Sequence, residues 1–315
     1  MSNIEWTDET ANVIVVKGED GQPHGWYCEK VSEGCQHCYA ERLNQNEFFG
    51  GNHLPYAQSR AGRPELMLRT DILESWFHRR KPKRIFVNSM TDTFGEFVPI
   101  TWIFQLLDAM VAAPILTFQV LTKRVERAQY VVLTWLRERG LGRVPDNIWL
   151  GFSAENQQRY DERVEWMMRL PALIFVSCEP LIGSIDLRLT DEDWPDYVSD
   201  GNPGKPIAVP SVHGQLIDWV IVGGESGADA RPMHPEWAMS IRDQCQVWLT
   251  PFFFKQWGEW LPYSLGSHTI GLDGSLWKGK HSGINIALVK KVGKKVAGRS
   301  LDGREWNEFP EVSYG

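Results

Sequence analysis

Arg84-Ile85-Phe86-Val87-Asn88 is a short apolar run that closes on a polar residue, and residues 99–113 behind it repeat apolar side chains at helical spacing with a proline at the start. The pair reads as a strand followed by a helix. The same unit recurs outward along the chain: a strand at 115–121 with a helix through Arg139, one at 147–152 with a helix through Leu170, and one at 172–176 with a loop. A strand at 217–222 with a helix at 235–249 and a final apolar strand at 251–254 complete the series. Before it, Asn12-Val13-Ile14-Val15-Val16 reads as one more strand. Strands separated by helical crossovers predict an α/β fold, a partial TIM-type (β/α) barrel of about six or seven parallel strands. Residues 1–262 form the barrel, with an acidic, then Pro- and Gly-rich rim insertion at 188–215, and 263–315 form a basic C-terminal cap.

The chemically specific stretch lies at 28–38. Cys28, Cys35 and Cys38 place three of the five cysteines within eleven residues. Thiolates at this spacing suit a soft metal centre, and both zinc and iron-sulfur clusters take such ligands. A closed structural zinc site normally uses four protein ligands, whereas a 4Fe-4S cluster on three thiolates keeps one iron open. The triad therefore reads as an open iron site. The competing reading adds His37 as a fourth ligand and makes the chain a zinc-stapled structural or binding protein on a barrel scaffold, without catalysis. His37 and Cys38 are adjacent, so both would ligate only if the loop folds sharply.

Composition bounds the rest. The 315 residues and 43% hydrophobic content suffice for one barrel domain. No apolar run reaches the roughly 18 residues of a membrane span, and no basic-then-apolar leader opens the sequence, so the expectation is a cytoplasmic protein with no membrane partner. An odd number of closely spaced cysteines suits reduced thiols rather than a disulfide framework. The net charge of -7 argues against binding nucleic acid through a general field. Locally, residues 278–299 carry seven Lys and Arg and no Asp or Glu, either a solvated surface or a phosphate-binding patch.

In a (β/α) barrel the chemistry sits where strands end. The polar strand ends are Asn88, Ser89 and Asp92; Thr122, Lys123 and Arg124; Ser153, Glu155 and Asn156; Ser177, Cys178 and Glu179; Gly223, Gly224, Glu225 and Ser226; and Lys255 and Gln256. Lys123, Glu155, Cys178 and Glu179 are the catalytic candidates. Cys178 offers a thiol at a strand end, against the commoner role of a small buried hydrophobe. Trp257 and Trp260, beside Lys255, are candidates to line a ring-containing substrate.

Lys30-Val31-Ser32-Glu33-Gly34-Cys35-Gln36-His37-Cys38-Tyr39-Ala40-Glu41, with the opening Ile4-Glu5-Trp6-Thr7-Asp8, resembles the bacteriophage and prophage three-cysteine family of radical-SAM-like proteins. The likeness continues through Asn88-Ser89-Met90, Leu121-Thr122-Lys123-Arg124, Ser177-Cys178-Glu179-Pro180, Gly223-Gly224-Glu225-Ser226 and Leu301-Asp302-Gly303-Arg304. The resemblance implies a 4Fe-4S cluster on Cys28, Cys35 and Cys38 and S-adenosylmethionine (SAM) bound to its open iron. It further implies His37 beside the SAM adenine, Tyr39 among the cofactor-binding residues, Ser89 and Asp92 at the SAM amino group, Ser153 and Asn156 at its ribose or carboxylate, and, in radical chemistry, Cys178 as a thiol able to return a hydrogen atom to a product radical. Lys123 or Arg124 would balance a carboxylate or an anionic substrate. An electron donor such as flavodoxin or ferredoxin is implied too, and the phage connection with the basic run points to a nucleotide or nucleic-acid base as substrate. Two departures stand out. The first cysteine spacing is longer than most radical SAM enzymes show, and Gly223-Gly224-Glu225 falls at about the sixth strand, whereas their Gly-Gly-Glu follows the second.

Overall fold

The computed structural model describes residues 4–56, 62–188 and 217–311. The expected rim insertion, apart from Arg188, lies outside the described residues. In chain order the elements are β1 (Glu9–Ala11), β2 (Ile14–Val16), α1 (Tyr39–Asn44), β3 (Leu66–Leu68), α2 (Thr70–Trp76), β4 (Lys83–Val87), α3 (Ile100–Val111), β5 (Leu116–Thr122) and α4 (Val125–Arg139). They continue with β6 (Ile148–Ser153), α5 (Gln157–Met168), β7 (Leu173–Cys178), β8 (Trp219–Gly223), α6 (Pro235–Val247) and β9 (Phe252–Gln256). Last come β10 (Trp260–Pro262), β11 (His268–Gly271), β12 (Leu276–Lys278), β13 (Ile286–Lys291) and α7 (Lys294–Ala297).

One sheet of seven strands has the order β1-β4-β5-β6-β7-β8-β9. With a described helix in every connection except that between β7 and β8, this is a partial (β/α) barrel. Strands β6 and β8 are buried along their whole length, and β5 and β7 nearly so. A parallel sheet covered on both faces has no polar side to alternate with, which is why these strands read as continuous apolar runs.

The chain divides into two compact units, Met1–Phe152 with Arg169–Leu173, and Ser153–Met168 with Ile174–Glu311. In the first unit α3 buries Ile103, Leu106, Leu107 and Met110, a helical stripe, and α4 buries Ala128, Val132, Trp135 and Leu136. Helix α4 stops at Gly140, whose φ of +64° is the left-handed conformation that satisfies a helix C-terminus. The strand expected at 12–16 is shorter and belongs elsewhere: Ile14–Val16 pairs antiparallel with Leu66–Leu68, while the first strand of the main sheet is Glu9–Ala11, parallel to β4. Asn88 joins the two. Held at φ +56°, it accepts from the backbone N–H of Val13 (2.9 Å) and Ile14 (3.2 Å) through Oδ1 and donates to Thr93 Oγ1 (3.0 Å). Asparagine tolerates this backbone better than any β-branched residue.

In the second unit β7, β8 and β9 are parallel. The C-terminal cap contains a four-stranded antiparallel sheet in the order β10-β13-β11-β12, and it starts at Trp260, three residues before the expected boundary. Residues 306–308 run along β9: Phe254 N–H donates to the Trp306 carbonyl (3.0 Å), Glu308 N–H to the Phe252 carbonyl (3.2 Å), and Phe252 N–H to Glu308 Oε2 (3.0 Å). Among the described residues, no helix is long and apolar enough to cross a membrane.

Candidate functional site

The cysteine loop leaves β2, turns through a short 3-10 segment at Glu33–Cys35 and enters α1, with Cys38 as the residue before its first turn. Four contacts stitch this region to the segments that follow β4 and β5. The Thr91 hydroxyl donates to the Tyr27 carbonyl, Tyr39 to the Ser89 carbonyl (2.7 Å), Tyr56 to the Met90 carbonyl (2.5 Å), and Arg124 Nη2 to the Glu29 carbonyl (3.0 Å). Cys28 and Cys38 pack on one apolar cluster of Ala40, Tyr56 and Met90.

Asp92 is the hub beneath the loop. Its Oδ1 accepts from Thr122 Oγ1 (2.7 Å) and Phe94 N–H (3.0 Å), and its Oδ2 accepts from Lys123 N–H (3.0 Å) and Arg124 Nη1 (3.1 Å). A carboxylate offers about four acceptor positions, so Asp92 is occupied by the protein and acts on the loop through Arg124. Arg124 also lies over the Phe97 ring (5.6 Å), as does Arg63 (5.9 Å), and Arg63 Nε donates to Glu29 Oε1 (2.6 Å).

These charges act on the thiols. Burial pushes the Cys28 thiol up to about 12, the Asp92 carboxylate pushes the same way, and Arg124 opposes both. Burial raises Cys38 as well, while the Glu41 and Ala40 N–H groups and Lys123 favour its thiolate. Cys35 acts on Cys38, and Cys38 on Cys28, so the three side chains share one electrostatic neighbourhood. All three are free cysteines. Among the described residues no group of three or more His, Cys, Asp or Glu is gathered as around a metal ion. The donor set nevertheless fits a thiophilic centre: soft sulfurs, half-buried on an apolar floor, beside two cations. His37 is partly exposed in the loop.

Because Arg124 bridges Asp92 and the loop backbone, Arg124→Met is expected to free residues 28–38 while leaving the strands intact. Amide exchange in that segment should rise about tenfold, the equivalent of one lost charged hydrogen bond at roughly 1.4 kcal/mol. Unchanged exchange would remove Arg124 from the loop's support.

The remaining candidates lie in the second unit. Ser153 is buried at the end of β6. Asn156 caps α5, its Oδ1 accepting from Arg159 N–H (3.0 Å). Glu155 is buried in an ion pair with Arg163 (2.7 Å), which also donates to the Ser153 carbonyl (2.7 Å). Cys178 is fully buried, and burial with the charges of Glu179 and Glu155 drives its thiol far upward; it packs as a small hydrophobe. Glu179 is different. It meets Lys255 Nζ at 2.8 Å and accepts from Ser177 Oγ at 3.0 Å.

Gly223-Gly224-Glu225 has a packing explanation. A Cβ on Gly223 would lie 2.5 Å from Glu179 Oε1, and one on Gly224 2.0 Å from the Trp257 carbonyl oxygen. Glu225 takes Arg231 through Nε (2.9 Å) and Nη2 (2.7 Å). Trp257 and Trp260 are buried, with their indole N–H groups given to the Ser300 and Ala230 carbonyls. Sequence reasoning missed Arg163. Its signal was present, since Tyr160, Arg163, Val164 and Met167 fall on one buried helical stripe, and an arginine in such a stripe calls for a buried acid.

The profile of a family described as "Protein of unknown function (DUF5131)" matches residues 1–310. No curated protein and no solved structure matches the chain.

Proposed function

We propose that this chain, which belongs to the DUF5131 family, is a radical SAM enzyme with a 4Fe-4S cluster on Cys28, Cys35 and Cys38, acting on a nucleotide or nucleic-acid base. The observation that carries the reading is the attachment of a three-thiol loop to the C-terminal ends of β4 and β5 through Thr91, Tyr39, Tyr56 and Arg124. That edge is where (β/α) barrels keep their chemistry. Bound there with SAM, the cluster would supply reductive SAM cleavage and hydrogen-atom abstraction from the substrate. The chain's own residues do the rest. Lys123 and Arg124 offset thiolate charge, Tyr56, Met90 and Ala40 keep water from the sulfurs, and Tyr39 holds the Ser89 carbonyl in place. Asp92 fixes Arg124 and thereby the backbone of Glu29.

The same reading calls for a low-potential donor such as flavodoxin or ferredoxin and for a reducing compartment, the cytoplasm. The substrate class rests on the basic stretch at 278–299. Lys290 lies over the Tyr263 ring (5.7 Å) and Lys291 over Trp260 (5.9 Å). With a net charge of -7, contact with nucleic acid is confined to such a patch.

The test is 5'-deoxyadenosine formation from SAM by the reconstituted protein under reductant. Oligonucleotides are expected to raise the rate several-fold, with binding that weakens steeply in salt. Replacing Lys290, Lys291, Lys294 and Lys295 together by Gln should flatten that dependence. Absence of 5'-deoxyadenosine overturns the chemistry; its formation without any response to nucleotides overturns the substrate class alone.

A further inference from the structure

We infer that Glu179 and Lys255 form a nucleobase-reading subsite at the C-terminal ends of β7 and β9, selective for a lactam edge, an N–H beside a C=O as on guanine or uracil. The inference narrows the substrate class proposed above and rests on it.

Three features build the pair. The β8–β9 register slips between Val222 and Gly223, so that Val222 pairs with Phe254 but Gly223 with Gln256, leaving Lys255 as the extra residue of a β-bulge. Bulges re-aim a side chain at a strand end. Gly223 ends β8, the strand between β7 and β9, and its missing side chain is a requirement, since a Cβ there would stand 2.5 Å from Glu179 Oε1. Across that gap Lys255 Nζ reaches Glu179 Oε1 at 2.8 Å, while Ser177 Oγ fixes Glu179 Oε2 at 3.0 Å. The backbone on both sides is tied down: Leu181 N–H donates to the Gly223 carbonyl (2.9 Å) and Arg299 Nε to the Lys255 carbonyl (3.0 Å).

Exposure separates this pair from a purely structural one. The Lys255 and Glu179 side chains are 15% and 14% exposed, against 6% and 0% for Arg163 and Glu155. They are screened from bulk water yet open to a ligand. An ammonium has three donors and a carboxylate about four acceptor positions, so each group keeps unspent capacity, an N–H donor beside an oxygen acceptor. A lactam edge matches that pattern: its C=O accepts from Lys255 and its N–H donates to Glu179. Hydrogen bonds to charged partners in a partly desolvated setting discriminate strongly against a ligand lacking the matching group.

The experiment is equilibrium dialysis of the full chain, as purified, with guanosine and uridine and with their ring-methylated analogues 1-methylguanosine and 3-methyluridine. Neither SAM cleavage nor a cluster enters the readout, so failure here is distinct from failure of the radical chemistry. At least one parent nucleoside is expected to bind, with the methylated form at least tenfold weaker, and Glu179→Gln and Lys255→Met are each expected to weaken the parent at least tenfold. If Lys255→Met fails to fold because Glu179 is left unpaired, the methylated analogues on the unaltered chain still decide. Equal affinity for methylated and parent nucleosides, or no binding of either parent, overturns the subsite.

Discussion

Anaerobic reconstitution of the full chain with iron and sulfide is expected to load about four iron per chain, and Cys28→Ala, Cys35→Ala and Cys38→Ala are each expected to hold less than about one. The effect is large because the three sulfurs act as one site. Cys28 and Cys38 share an apolar floor, the charge of Cys35 acts on Cys38, and no described cysteine elsewhere can substitute, since Cys178 and Cys245 are buried away from solvent. Iron and acid-labile sulfide analysis reads the outcome directly. Retention of iron by Cys28→Ala would separate that residue from the site. Tightly bound zinc in the unaltered protein, lost in His37→Ala, would replace the radical SAM reading with the zinc-stapled one.

The barrel was legible because a two-face-covered parallel strand has to be apolar throughout. Strands β4 to β9 and helix α4 follow from their runs to within a residue or two. Strand β1 was not legible. Glu9-Thr10-Ala11 is three residues long, polar and only partly buried, and its place is specified by pairing with β4, which no local pattern encodes. The more strand-like Ile14-Val15-Val16 took its role in the reading. For the site, cysteine spacing carried the triad, whereas the four donors converging on Asp92 come from positions 94, 122, 123 and 124 and exist only in the fold. The Gly-Gly of 223–224 resembled a ligand motif, but close approach of Glu179 and of the Trp257 carbonyl accounts for it.

Arg163→Met is expected to cost about 3–5 kcal/mol of stability, the usual penalty for stripping one partner from a buried ion pair. Glu155 is fully buried and its partner nearly so. Methionine fills most of the volume but leaves a carboxylate in an apolar setting, with the Ser153 carbonyl losing its donor as well. Adding Glu155→Gln should recover much of the loss, because a neutral amide is cheaper to bury than an unpaired charge. Urea unfolding of the single and double variants measures both quantities. A single-variant loss below about 1 kcal/mol would mean that the pair is solvated in solution.

The segment 306–308 lying along β9 bears on how the protein can be handled. Strand β9 is Phe252-Phe253-Phe254-Lys255-Gln256 at the border of the seven-stranded sheet, and Trp306 to Glu308 occupy its outer hydrogen-bonding groups. A bare border strand of three phenylalanines is a template for another chain. A version of the protein cut back past Trp306 would present that template, and its losses in expression would come from aggregation through an uncapped edge, with the thiol loop still intact.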